Sequence, residues 1–147
     1  MNVLLSALAF LVGALMPVQV GINASLRVLL RDPLLAGLAN FVSGGVVIVL
    51  LLLLLRVPLP GAAALASVPA WGWLGGVIGA SVVVVSLMAG PKLGAATLFV
   101  LIITGQIVAS MLLDHYGLMG YTVRPATLLR LIGAVMLVAG VILIVRY

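Results

Sequence analysis

The stretch 34–55, LLAGLANFVSGGVVIVLLLLLL, runs for 22 residues without one charged side chain. A helix needs roughly 20 such residues to cross a hydrocarbon core about 30 Å thick. Four other segments are long and strongly apolar, with at most one charged residue each near an end, and they are Val3 to about Val28, Ala70–Ala89, Leu93–Leu113 and Leu128–Val145. The pattern predicts an all-α membrane protein in which residues 1–147 form a single domain of five transmembrane helices.

The composition of the whole chain agrees with a membrane location. Hydrophobic residues make up 66% of the 147 positions and charged residues only 6%, whereas soluble domains use about 25% charged residues. The net charge of +5 comes from bases that stand singly near helix ends, which is typical of headgroup anchors rather than of a nucleic-acid surface. Cysteine is absent, which excludes disulfides and cysteine-based metal or redox sites.

The basic residues give little preference for one orientation. An odd number of spans places the chain ends on opposite sides. One side then carries Arg56, Arg124 and Arg130, and the other carries Arg27, Arg31, Lys92 and Arg146, a count of 3 against 4. Because an excess of Lys and Arg in short loops normally fixes the cytoplasmic side, this balance predicts insertion in both orientations. The alternative is that a small bias or the lipid still selects one.

Ordinary helix punctuation marks the ends of the spans. Asp32 and Pro33 are suited to the N-cap and first turn of the second helix, and Pro69 to the start of the third. Gly90-Pro91-Lys92 is interpreted as a tight link between the third and fourth spans. Gly72, Gly76 and Ala80, with Gly75 and Gly79 beside them, predict a close-packing face on the third helix.

The few polar residues inside the spans are arranged in stripes. Gln19, Asn23 and Arg27 recur every four residues on the first helix, and Gln106, Ser110 and Asp114 do so on the fourth. An amide facing lipid would lose hydrogen bonds at a cost of several kcal/mol, so these stripes must face protein or water. They either line a cavity or hydrogen-bond one helix to another. The candidate substrate-binding residues are Gln19, Asn23, Asn40, Ser43, Ser86, Gln106 and Ser110.

Chemistry beyond binding has no support in the sequence. No carboxylate or histidine lies near the middle of a span, so a central proton-relay carboxylate is lacking. Asp114 and His115 lie together at the end of the fourth helix, where an interfacial cap or anchor is expected. Nothing resembles a nucleophile with its base, a phosphate loop or a metal cluster. We therefore expect neither enzymatic activity nor a cofactor.

Several motifs together resemble the YdcZ-like branch of the drug/metabolite transporter superfamily, over essentially the full chain. They are Gln19-x-x-x-Asn23, Pro91-Lys92-Leu93-Gly94-Ala95, Gly105-Gln106 and Asp114-His115-Tyr116-Gly117. The resemblance implies a five-helix half-transporter in the bacterial inner membrane that assembles from two units in opposite orientation. The small multidrug exporters of the superfamily carry a carboxylate in the first helix. This chain has none there, which argues against proton-coupled export of lipophilic cations.

The functional expectation is an antiparallel homodimer, because transporters commonly build a midplane site between two inverted repeats and one unit supplies only one of them. Its partners would be a second copy, membrane lipid and an unidentified small polar or amphiphilic metabolite, with no nucleic acid. The cavity would be lined by amides, which donate and accept hydrogen bonds without charge. A passive channel and a structural or accessory membrane subunit are the alternatives.

Overall fold

A computed structural model describes residues 2–147 and confirms the all-α fold class. Five stretches of helix are long and apolar enough to cross a membrane. The α-helices within the described residues are α1 (Val3–Leu30), α2 (Pro33–Leu54), α3 (Ala62–Ala66), α4 (Leu74–Leu93), α5 (Ala95–Tyr116) and α6 (Leu128–Arg146). Two short 3₁₀ helices lie between α-helices, at Ala70–Trp73 and Leu118–Gly120. The first of them extends the membrane span of α4.

A side-chain cap begins α2 at the position that the sequence predicts. Asp32 Oδ1 accepts the backbone N–H of Leu34 at 2.7 Å and that of Leu35 at 3.1 Å, and Pro33 occupies the first turn of α2. These bonds satisfy N–H groups that have no partner within a helix. Thr127 caps α6 in the same way through the N–H of Arg130 at 3.4 Å.

Two connections differ from the sequence-based prediction. Gly90-Pro91-Lys92 is not a link, because α4 continues through Pro91 to Leu93 and Gly94 alone separates it from α5. Gly94 has a φ of 81°, and glycine adopts such a positive φ without a steric penalty. The connection after Arg56 contains the short helix α3, which the sequence analysis did not predict.

The chain forms two compact units, one ending at Pro91 and the other comprising Lys92–Tyr147. In the first unit α1 and α2 pack side by side, joined by a two-residue turn. A Cβ atom on Gly37 of α2 would lie 3.7 Å from Val84 of α4, and one on Gly79 of α4 would lie 3.9 Å from Phe41. From the first contact to the second, the residue number rises along α2 and falls along α4, so α4 is antiparallel to α2. The assignment of the whole chain to a single domain stays a prediction.

The glycine rows of α4 contribute less packing than predicted. A Cβ atom on Gly75 or Gly76 would meet nothing within 4 Å, and both residues are exposed. Only Gly79 lies near another helix, through Phe41. The buried part of α4 lies two turns further on, at Ser86 and Leu87, which are 2% and 1% exposed.

The second unit is held together at the turn between α5 and α6. Asp114 forms an ion pair with Arg130, whose guanidinium also donates to the Arg124 carbonyl at 2.9 Å. The Arg124 N–H donates to the Asp114 carbonyl at 2.8 Å. His115 Nδ1 accepts the N–H of Ala126 at 3.1 Å. Asp114 and His115 therefore organise the turn between the helices, which agrees with the predicted cap or anchor role.

Two glycines in this turn provide a matched test of its packing. Gly117 and Gly120 have φ of 61° and 81°, so Ala costs about 1 to 2 kcal/mol of backbone strain at either position. A Cβ on Gly117 would also lie 2.6 Å from Val123 Cγ2, whereas one on Gly120 would meet nothing within 4 Å. We expect Gly117→Ala to lower the melting temperature in detergent clearly more than Gly120→Ala. Equal losses would show that Val123 does not pack on Gly117.

Candidate functional site

Three carboxamides on α1 and α2 form one hydrogen-bonded cluster. Asn40 Oδ1 accepts from Gln19 Nε2 and from Asn23 Nδ2, both at 3.0 Å. The cluster forms because Gln19 and Asn23 are one helical turn apart on α1 and face the same side of α2. Asn23 is buried, at 6% exposure, whereas Gln19 is exposed and Asn40 is intermediate. One end of the cluster is therefore part of the helix contact, and the other end is open.

An open groove of about 580 Å³ lies at the exposed end of this cluster. Its volume is within the range of about 300 to 1,000 Å³ that is common for small-molecule sites. The lining residues are Gln19, Asn40, Phe41, Ser43, Gly44, Gly45, Val47 and Ile48. Amides and a hydroxyl thus meet an apolar wall, and none of these residues carries a charge.

The groove lies near the middle of both helices. At a rise of 1.5 Å per residue, Gln19 is about 4 Å from the centre of α1 and Asn40 about 5 Å from the centre of α2. Ser43 and Gly44 flank the midpoint of α2. Because α2 is about as long as a bilayer core is thick and α1 is longer, the middle of each helix corresponds to the level at which transporters commonly bind their substrates.

The cluster leaves hydrogen-bonding capacity on the groove side. The two bonds to Asn40 Oδ1 use both lone pairs of that oxygen. Asn40 Nδ2 and Gln19 Oε1 make no hydrogen bond within residues 2–147, so one offers donors and the other accepts. If all three amides were rotated by 180°, Asn40 Nδ2 would donate to the oxygens of Gln19 and Asn23, so both contacts would remain. The free donor would then be on Gln19 and the free acceptor on Asn40. In either arrangement the groove presents a donor beside an acceptor.

Arg27, the third residue of the stripe on α1, binds the backbone of α4. Its Nη1 donates to the Leu87 carbonyl at 2.7 Å. In an uninterrupted helix this carbonyl would accept the N–H of residue 91, but residue 91 is proline and has no N–H. The guanidinium therefore supplies the hydrogen bond that Pro91 removes, and it fixes the end of α1 against α4.

The remaining predicted residues lie in different surroundings. Ser86 of α4 is buried and does not line the amide groove. Ser43 lines it and donates its hydroxyl to the Asn40 carbonyl at 3.0 Å. Gln106 and Ser110 of α5 are exposed and make no side-chain hydrogen bond within the described part of the chain. Gln106 lies within about 1 Å of the centre of α5, measured along its axis.

The second unit contains a smaller cavity of about 280 Å³ between α5 and α6. Its lining residues are Val108, Met111, Leu112, His115, Tyr116, Ala126, Leu131 and Ala134. It is mostly apolar, and Nδ1 of its histidine already accepts the N–H of Ala126. The amide groove is the better candidate because its polar atoms have capacity left for a ligand.

The sequence did not indicate Phe41 as a groove residue or Arg27 as a donor to α4. A signal for Arg27 was present, because Pro91 inside a helix leaves the carbonyl four residues earlier without a donor. Which side chain would supply that donor depends on the packing of α1 on α4, and the sequence pattern does not give it. Phe41 looked like any other apolar residue of α2.

Five membrane-spanning helices, with a mid-helix groove lined by uncharged polar groups, define a multi-pass membrane protein of the transporter class. The comparison with protein families agrees, since the family described as "Putative inner membrane exporter, YdcZ" matches residues 4–143. The chain belongs to this family and is a multi-pass protein of the inner membrane. No curated protein and no solved structure matched the chain.

A double-mutant cycle tests the pairing of Arg27 with the Leu87 carbonyl. Arg27→Gln should lower the free energy of unfolding in the native background by about 1 kcal/mol more than in the P91A background, where residue 91 regains its N–H. The measurement is unfolding of the four proteins by SDS titration in mixed micelles. Equal losses in the two backgrounds would contradict the pairing.

Proposed function

We propose that the protein transports a small polar or amphiphilic compound by alternating access, as a homodimer of two oppositely oriented copies. The observation that carries this proposal is the amide groove between α1 and α2. Its polar atoms lie at mid-helix and keep hydrogen-bonding capacity that lipid cannot satisfy. Membership in an exporter family supports transport as the purpose of such a site.

The oppositely oriented pair is supported by two features. The basic residues are balanced at 3 against 4, so both orientations are compatible with the charge distribution. Gln106 is exposed at the centre of α5, and a carboxamide at that depth requires a polar surrounding. A second copy related by an axis in the membrane plane brings two grooves and two Gln106 side chains to similar depths.

The chemistry of the groove indicates the kind of compound that it binds. A donor and an acceptor side by side suit a ligand that carries both, such as an amide, an amino acid or a hydroxy compound. Phe41, Val47 and Ile48 provide an apolar wall for the remainder of the ligand. The groove contains no carboxylate to neutralise a cation, so a lipophilic cation is a poor fit.

The burial difference within the cluster separates a binding role from a packing role. Gln19→Leu removes an exposed ligand contact, so binding should weaken by about 0.5 to 1.5 kcal/mol with little change in melting temperature. Gln106→Leu should behave similarly. Asn23→Leu removes a buried contact and should lower the melting temperature. The readouts are melting in detergent and ligand-induced stabilisation across a screen of small polar metabolites.

Ser81→Ala is a matched control for that series. The Ser81 hydroxyl donates to the Val77 carbonyl of its own helix at 2.9 Å and lies outside the groove. We expect it to change neither readout. If Gln19→Leu lowers the melting temperature as much as Asn23→Leu and leaves ligand stabilisation unchanged, the amides serve packing, and the structural-subunit alternative is correct.

Labelling can test the two orientations directly, because the chain has no native cysteine. Gly61→Cys places one thiol in the loop after α2, where a Cβ meets nothing within 4 Å. We expect an impermeant maleimide to label part of the population from each face of the membrane. Adding Leu59→Lys and Leu65→Lys, both at exposed positions, should shift labelling to one face and reduce transport. Labelling from one face without the added lysines would rule out dual orientation.

A further inference from the structure

Arg27 has more hydrogen-bonding capacity than the Leu87 carbonyl uses. A guanidinium carries five N–H donors, and one of them, on Nη1, is engaged. The edge formed by Nε and Nη2 is the one that binds carboxylate or phosphate through two parallel hydrogen bonds. This edge makes no hydrogen bond within residues 2–147. Arg27 can therefore hold the α4 carbonyl and an oxyanion at the same time.

The charge of Arg27 has no counter-ion among the acids of the chain. The sequence contains two carboxylate side chains, Asp32 and Asp114. Asp114 is paired with Arg130 in the second unit. Asp32 accepts two backbone N–H groups at the start of α2, and no ion pair within 4 Å joins it to Arg27 in the described structure. A half-buried guanidinium without a counter-ion carries a desolvation cost that a bound anion would offset.

Arg27 lies on the polar stripe of α1 but outside the lining of the amide groove. It lies on the same stripe of α1 as Gln19 and Asn23, about 12 Å from Gln19 along the helix axis. It also lies one turn before the end of α1, at the depth where a helix meets the lipid headgroups. An anion at Arg27 thus lies near the level of the headgroups, beyond the buried Asn23 and outside the lining of the groove.

We propose that Arg27 is the binding residue for an oxyanion, a carboxylate or a phosphate, held by its Nε and Nη2 edge. The oxyanion belongs either to a soluble compound at the membrane surface or to an anionic lipid headgroup. Where it belongs to the soluble compound, the proposal rests on the proposed transport function and adds that the carried molecule has an acidic group. Where it belongs to lipid, it stands independently of transport.

The test compares thermal stability of the full chain in nanodiscs of defined composition. In one arm the lipid is phosphatidylcholine, and sodium benzoate or inorganic phosphate replaces chloride at constant ionic strength. In the other arm phosphatidylglycerol replaces part of the phosphatidylcholine, with chloride only. We expect at least one arm to raise the melting temperature of the native chain, because a ligand that binds the folded state stabilises it. Arg27→Gln should abolish the rise.

Arg31→Gln is the matched control, since it removes the same charge at the same end of α1 from an exposed side chain. It should keep the rise. If Arg27→Gln folds poorly, the comparison is made between P91A and the double variant P91A with R27Q, in which the Leu87 carbonyl has its own helical donor. A rise that is equal with and without Arg27, or no rise in either arm, overturns the proposal.

The two arms also identify the source of the oxyanion. A rise with phosphatidylglycerol alone assigns it to lipid, and a rise with benzoate or phosphate assigns it to a soluble compound. Both results support the site. The transport proposal can also fail while the oxyanion site holds. In that case Arg27→Gln still abolishes the rise in melting temperature. Gln19→Leu, however, lowers the melting temperature and leaves ligand-induced stabilisation unchanged.

Discussion

A polar group buried between helices cannot take its hydrogen bonds from solvent, and the arrangement of the first unit depends on this constraint. Pro91 leaves the Leu87 carbonyl without a helical donor, and Arg27 of α1 supplies one. Asn23, buried between helices, donates to Asn40. Both contacts join α1 to a different helix, so the same bonds that satisfy polar groups also set how α1 packs against α2 and α4.

The constraint also explains why the groove is a candidate for binding. Serine and threonine residues of the spans mostly bond to carbonyls of their own helix, as Ser81 and Thr104 do, and this leaves little capacity for a ligand. Carboxamides have more donors and acceptors than one neighbour can use. Gln19 and Asn40 therefore keep free groups that can hydrogen-bond to a polar ligand after the helix contact is made. The same reasoning applies to Gln106, exposed at mid-helix.

Local features of the sequence were enough to predict the spans, the Asp32 cap and the pairing potential of the stripes, because hydropathy, capping and four-residue spacing act within one helix. The prediction was weaker where the outcome depends on a neighbour. Gly90-Pro91 looked like a link, yet α4 continues through it, and Arg27 donates to the carbonyl that lost its helical partner. The two rows that contain Gly76 and Gly75 looked like a packing face, but small residues permit close approach without providing a partner. Asn40 as the common acceptor also required the packing of α1 on α2.

The uncharged groove limits how transport is coupled to protons. Gln19, Asn40 and Ser43 have no group that titrates in the physiological range. Binding to these groups therefore takes up and releases no proton on the protein. Any pH dependence of binding must come from the ligand's own ionisation or from groups elsewhere in the chain. An acidic ligand would then bind in its ionised form, since only that form has two equivalent oxygens for the guanidinium edge. This distinguishes the site from a carboxylate-based exporter site, where proton and substrate compete for the same side chain.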